Sequence, residues 1–157
     1  MQKLQSLLKF LVTSPLDFVL VGGFAAVVHG CSQTTRDVDI CLILLPEQIQ
    51  QLRDVLSPLH PKHRMLPDKP SFLSFPVDLA DIKNLHLETD LGVLDIISHV
   101  AAVGSYYDVL KNADEIELYG GRCHLISIDD LIKCKKTLGG HRDLAVVEEL
   151  EAIKNEK

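Results

Sequence analysis

The sequence predicts a mixed α/β fold, a small mixed sheet with flanking helices. Three observations carry this. Leucines at helical spacing open the chain, at Leu4, Leu7, Leu8 and Leu11. An apolar strand pattern ending at Val21 breaks at Gly22-Gly23 into a short apolar helix pattern. Two pairs of strand-like runs bracket hairpin signals, one around Thr89–Gly92 and one around Tyr119-Gly120-Gly121.

Taken in order, Gln2–Val12 is expected to be an amphipathic helix whose leucine stripe packs on the sheet. Asp17–Val21 forms the first strand, and Gly23–His29 the short helix, closed by Gly30 as a C-terminal cap. Arg36–Leu44 is the second strand, its far end apolar enough to be covered on both faces. Pro46 suits a helix first turn, so Glu47–Leu56 follows as a helix. Residues 57–83 carry Pro58, Pro61, Pro67, Pro70 and Pro76 with little periodicity, which predicts loops with one short strand or helix. Such a segment either shapes a substrate opening or is a plain surface excursion. Leu85–Glu88 and Val93–Ile97 make the first hairpin, and Tyr106–Asn112 a helix. Glu115–Leu118 and Arg122–Ile126 make the second hairpin. Ser127 opens a helix through Leu138, Gly139-Gly140 breaks it, and Asp143–Lys154 is the last helix.

Bulk properties narrow the function classes. At 157 residues, the chain is expected to be one domain able to bury a real core. The longest apolar runs, Phe18–Val28 and Ile40–Leu45, are too short or too glycine-broken to span a bilayer, so no membrane role is expected. No signal-peptide cleavage pattern is visible, which implies a cytoplasmic protein. The net charge of −6 disfavours tight nonspecific nucleic-acid binding, which needs a basic surface to displace counterions. A local basic groove stays open, since Lys133, Lys135, Lys136, His141 and Arg142 lie close in sequence. Cys31, Cys41, Cys123 and Cys134 form no C-x-x-C pair and read as reduced, mostly buried small residues.

The most informative stretch is 20–42. Side chains alternate across a strand, so Asp37 and Asp39 share a face. Two carboxylates a few ångströms apart repel, and a hard cation such as Mg²⁺ or Mn²⁺ relieves that repulsion. A glycine turn at a helix N-terminus, here Gly22-Gly23, offers backbone N–H groups to a phosphate. Phosphate cradle and metal-binding acid pair together are the equipment of phosphoryl or nucleotidyl transfer. Asp95, an acid in the apolar run Val93–Ile97, is costly there unless paired.

Val21-Gly22-Gly23 followed by Asp37-Val38-Asp39-Ile40 resembles the nucleotidyltransferase superfamily that includes DNA polymerase beta, and most of all its small bacterial and archaeal members, the minimal and abortive-infection-type nucleotidyltransferases. Thr89–Ile97, Gly104-Ser105-Tyr106-Tyr107 and Ile128–Lys135 with Arg142-Asp143-Leu144 extend the likeness over about residues 5–152. The resemblance implies a nucleotidyltransferase-like fold and a Mg²⁺- or Mn²⁺-dependent enzyme that moves a nucleoside monophosphate from an NTP to an acceptor, releasing pyrophosphate. It makes Asp37, Asp39 and Asp95 the catalytic metal ligands, with Asp95 taking the acceptor's proton. It assigns Gly22, Gly23, Thr35, Arg36 and Lys135 to the nucleotide, although Arg36 equally suits an ion pair with a neighbouring acid. One departure is Gly140, where relatives often carry an arginine; Arg142 is the available substitute.

The acceptor is not fixed by these residues: a protein, an RNA end and a small hydroxylated molecule all fit. The acidic balance tilts toward a protein or a small molecule. A reading from a different class is a catalytically weak binding module on the same fold, such as a toxin–antitoxin component. A third, transfer to a cationic antibiotic, asks for extra acids, for which Asp78, Asp81 and Asp90 are candidates.

Overall fold

The computed structural model describes residues 2–156. Leu4, Leu7, Leu8 and Leu11 are all buried in helix α1 (Gln2–Val12), which lies against the central strands. The chain then enters strand β1 (Val19–Val21), turns into helix α2 (Gly22–His29) and returns as β2 (Asp37–Cys41). Gly30 closes α2 in the left-handed conformation, at φ 119°. Helix α3 (Pro46–Leu56) has its proline in the first turn, where the missing N–H costs nothing. That turn is also why the second strand is shorter than the expected 36–44: past Cys41 the chain keeps one ladder bond, from Leu42 N–H to Ile97 O, then bends into α3.

Residues 57–83 hold a single 3-10 turn, Ser57–Leu59, and an edge strand β3 (Lys62–His63). The segment is tied down from outside itself. Arg53 of α3 donates to the carbonyls of Phe72 and Pro76, both at 2.7 Å, and Phe72 is fully buried. β4 (Asn84–Thr89) and β5 (Gly92–Ile97) form the expected hairpin. A small second sheet, β6 (His99–Val100) with β7 (Gly104–Ser105), was not foreseen. Helix α4 (Tyr106–Asn112) leads to the hairpin β8 (Asp114–Leu118) and β9 (Gly121–Leu125). Ser127 caps α5 (Ile128–Leu138) by accepting the Asp130 N–H, and α6 (His141–Asn155) completes the described chain.

The seven main strands are ordered β3-β4-β5-β2-β1-β9-β8, with parallel pairing at β5–β2 and β1–β9 and antiparallel pairing elsewhere. Alternation divides the central strands into two faces. Val38, Ile40, Leu94 and Ile96 on one face are fully buried in the hydrophobic core. The opposite face carries the acids. No described helix is long and apolar enough to cross a membrane.

Candidate active site

Strand pairing brings the acids together. Asp37 and Asp39 lie two residues apart in β2, and the parallel β2–β5 register sets Asp39 beside Asp95. One carboxylate oxygen from each of the three lies within 4.8 Å of the others. The same row continues across the hairpin, where His86 of β4 stands opposite Asp95. Arg64, just past β3, follows it, its backbone N–H bonded to the His86 carbonyl at 3.1 Å.

Asp95 is therefore held from the far side. Arg64 Nη2 donates to its Oδ1 at 2.7 Å, and His86 Nδ1 meets the same oxygen at 3.0 Å. Arg64 Nε is buried with no partner among the described residues, so this arginine is committed to the site through Nη2 alone on its carboxylate side. The two residues escaped the sequence reading for different reasons. His86 was legible, because a Thr89–Gly92 turn puts residue 86 opposite residue 95. Arg64 sits in the proline-rich segment, and no spacing there points to the acids.

The charges are mutually opposed. Burial first, and then the negative charges of Asp37 and Asp95, push the Asp39 carboxyl up to about 7, against the pull of Lys135. Asp37 is also raised, by burial and then by its hydrogen bond to Asp95 and that residue's charge. Burial raises Asp95 as well, but hydrogen bonds from Arg64, His86 and Asp37 outweigh it and hold this carboxyl below the ordinary value. With no cation the cluster must keep protons near neutral pH. Three hard oxygen donors within reach of one point are the set Mg²⁺ or Mn²⁺ prefers, so the residues fit such an ion.

The backbone beside the acids is shaped for close approach. Gly22 opens α2 at φ +73°, and a Cβ there would fall inside the Asp39 carboxylate. The N-cap position is Val21, whose side chain caps nothing, leaving the first-turn N–H groups for another partner. Gly23 packs on Thr35, where a Cβ would stand 3.1 Å from Oγ1, and the Thr35 hydroxyl donates to the Asp37 carbonyl at 3.0 Å.

Two cavities meet at Asp39 and Lys135. One, of about 360 Å³, is lined by Gly23, Thr34, Thr35, Arg36, Asp37, Asp39, Lys135 and Arg142 among others. Lys135 is largely buried, with Nζ 3.4 Å from Asp143 Oδ1. Asp143 also accepts the Gly140 N–H at 3.3 Å, and Arg142 donates to the Thr34 carbonyl at 3.1 Å. The other cavity, of about 270 Å³, is apolar and includes Val21, Gly22, Ile97, Val100, Ile126 and Leu138. Asp37, Asp39, Gly23, Thr35, Arg36 and Lys135 thus share one cavity, Gly22 borders its neighbour, and Asp95 joins through the strand register. Asp78, Asp81 and Asp90 gather at neither cavity; Asp90 instead pairs with His60 at 2.6 Å on the surface.

The chain shares its overall fold with a solved nucleotidyltransferase. A solved structure of that kind matches: lincosamide antibiotic adenylyltransferase LnuA with lincomycin bound has a TM-score of 0.57 to this chain at 18% identity, covering 97% of this chain and 96% of that one. No family model matches the chain, and no curated protein does.

Proposed function

We propose that this chain is a metal-dependent nucleotidyltransferase that moves a nucleoside monophosphate from an NTP to the hydroxyl of a small molecule, releasing pyrophosphate. The observation that carries it is the triad Asp37, Asp39 and Asp95 within 4.8 Å, with the Asp39 carboxylate packed directly on the glycine turn where Gly22 has no side chain. Asp37, Asp39 and Asp95 would hold Mg²⁺ or Mn²⁺, which when bound would supply positive charge to offset the charge that builds up in phosphoryl transfer. Lys135 and the first N–H groups of α2 hold the triphosphate in the polar cavity, with Arg36 and Thr35 at its wall. The apolar cavity beside Gly22 takes the flat face of the base.

In the reaction the acceptor oxygen bonds to the α-phosphorus as the bond from that phosphorus to the bridging oxygen breaks. The bond's electron pair leaves on pyrophosphate. The hydroxyl proton passes to Asp95, which Arg64 and His86 keep ionised and oriented. A small acceptor is supported by the net charge of −6, which disfavours a polynucleotide, and by the likeness to an adenylyltransferase of a small antibiotic. Dependence on NTP fits a cytoplasmic protein, and a single buried core fits one domain over residues 1–157.

Thermal unfolding with each of the four NTPs, with and without Mg²⁺ or Mn²⁺, tests this reading. A ligand present at about 100 times its Kd stabilises the native state by about 2.7 kcal/mol. The expected result is a metal-dependent rise in Tm with at least one NTP, lost in the Asp37→Asn/Asp39→Asn double variant. No rise with any nucleotide would overturn the reading and favour a binding module without turnover.

A further inference from the structure

The row of polar residues on the triad face does not stop at Asp95. Beyond His86 and Arg64 lies a separate cavity of about 340 Å³, built from β4 and the proline-rich segment. Met65, Leu66, Phe75 and Ile82 contribute apolar wall, and His86 is the lining residue that touches Asp95. None of its lining residues borders either cavity at Lys135.

Met65 is 67% exposed and Phe75 45%, with Leu66 also exposed beside them. Apolar side chains held out together over a concavity cost free energy unless something covers them. The fold has gone to some length to keep them there, since Arg53 ties the segment at both Phe72 and Pro76. Asp81 and Lys83 at the lining carry opposite charges, which asks for no net charge in a ligand. The volume lies at the lower end of small-molecule sites, about 300–1,000 Å³.

We propose that this cavity is the acceptor site, and that the acceptor is a small uncharged hydroxylated molecule bearing an apolar arm. The arm packs on Met65 and Phe75, and the hydroxylated head lies over His86 with one hydroxyl at Asp95. The nucleotide and acceptor then approach the triad from opposite ends of one sheet row: Gly22 and Lys135 on one side, His86 and Arg64 on the other. The proposal rests on the nucleotidyl-transfer reading, for it takes the acceptor's oxygen to the α-phosphorus and its proton to Asp95 as written above.

Alkyl β-D-glucosides serve as the probe, with methyl and hexyl chains titrated into isotope-labelled protein while NMR signals are followed. Hexyl glucoside is expected to shift the signals of Met65, Leu66, Ile82 and His86. Methyl glucoside should bind far more weakly, since each added methylene gains about fourfold in affinity. Met65→Asp and Phe75→Ser, both at exposed positions, should each weaken hexyl glucoside at least about tenfold, roughly the effect of two buried methylenes. ATP with Mg²⁺ should still move the Gly23 and Lys135 signals in both variants. Glucoside that moves no signal at this cavity, or moves those of Ile97 and Leu138 instead, overturns the acceptor site while leaving the nucleotide reading intact. Signals of Met65 and Phe75 that shift with protein concentration alone would show a second copy covering the face, and would equally overturn it. Loss of the ATP response in the wild-type protein would sink the nucleotide reading, and this proposal with it.

Discussion

The two faces of β2 and β5 differ more than any two regions of the molecule, although they belong to the same ten-residue stretch of paired strands. On one face Val38, Ile40, Leu94 and Ile96 are fully buried, with no polar group to satisfy. On the other, Asp37, Asp39 and Asp95 crowd together, and burial with mutual repulsion pushes Asp39 up to about 7. The apolar face supplies stability; the acidic face consumes it. A strand can hold such a conflict because alternation keeps the two demands from meeting. The stable face fixes the register, and the register sets the spacing of the acids.

Separating the two faces by mutation should give opposite signatures. The largest effect is expected from Asp39→Asn. Pyrophosphate release from an NTP should fall by about 10²–10³-fold or more, as when a preorganised charge-stabilising group is removed. The same variant without metal should melt higher than wild type near neutral pH, because one repelling carboxylate is gone. A variant that loses activity and melts lower would break the comparison. Ile40→Ala, one residue along on the other face, should do the reverse. It should lose about 2–5 kcal/mol in denaturant unfolding and leave NTP affinity of the folded protein unchanged.

Arg64→Ala sharpens the comparison at its margin, where a basic residue partly relieves the acidic face. Its loss should lower kcat by about 10–100-fold with little change in the KM for NTP, since the nucleotide cavity lies elsewhere. Arg64→Lys should recover part of that loss. An equal fall for both variants, or a change confined to KM, would show that Arg64 only braces the loop.

The smallest expected effect is in stability against pH. Asp39 is raised from 3.8 to about 7 in the folded protein, and Asp37 is raised too, so between these values the folded state binds more protons than the unfolded chain. Metal-free stability should therefore be greatest at the acid end of that window and fall as pH rises toward 7. Asp95 is depressed, so the stability it contributes is present above its ordinary value of 3.8 and lost only as pH falls below that, at the acid edge of the window. Saturating Mn²⁺ should flatten or reverse the slope, which differential scanning calorimetry at a series of pH values would show.

How much of this was legible in the sequence follows the same division. The acid pair was readable from alternation alone. Gly22-Gly23 was readable as a turn, although α2 begins at Gly22 rather than at 23 because the left-handed glycine already lies in the helix's first turn. α1 and α4 have the expected bounds, since each shows a clear period or cap. The segment 57–83 was the opposite case. Its prolines forbid a long regular element, and its path is set by bonds from Arg53 and by β3 joining the sheet edge, neither of which leaves a local signal. Arg64 went unseen for that reason, and so did the cavity that Met65, Leu66 and Phe75 line. The lysine on α5 was expected from the resemblance; that Asp143 would hold it, while also bonding the α6 N-terminus, was not.

The most direct test of the central claim, that three mutually repelling carboxylates await a cation, is calorimetric titration of Mn²⁺ at pH 6.5 in two buffers of different ionisation enthalpy. The account predicts binding with net release of protons, because Asp39 at about 7 is largely protonated there and must ionise to ligate. Asp39→Asn should abolish both the binding and the release. Mn²⁺ that binds without proton release, or binds the variant as tightly as wild type, would contradict it.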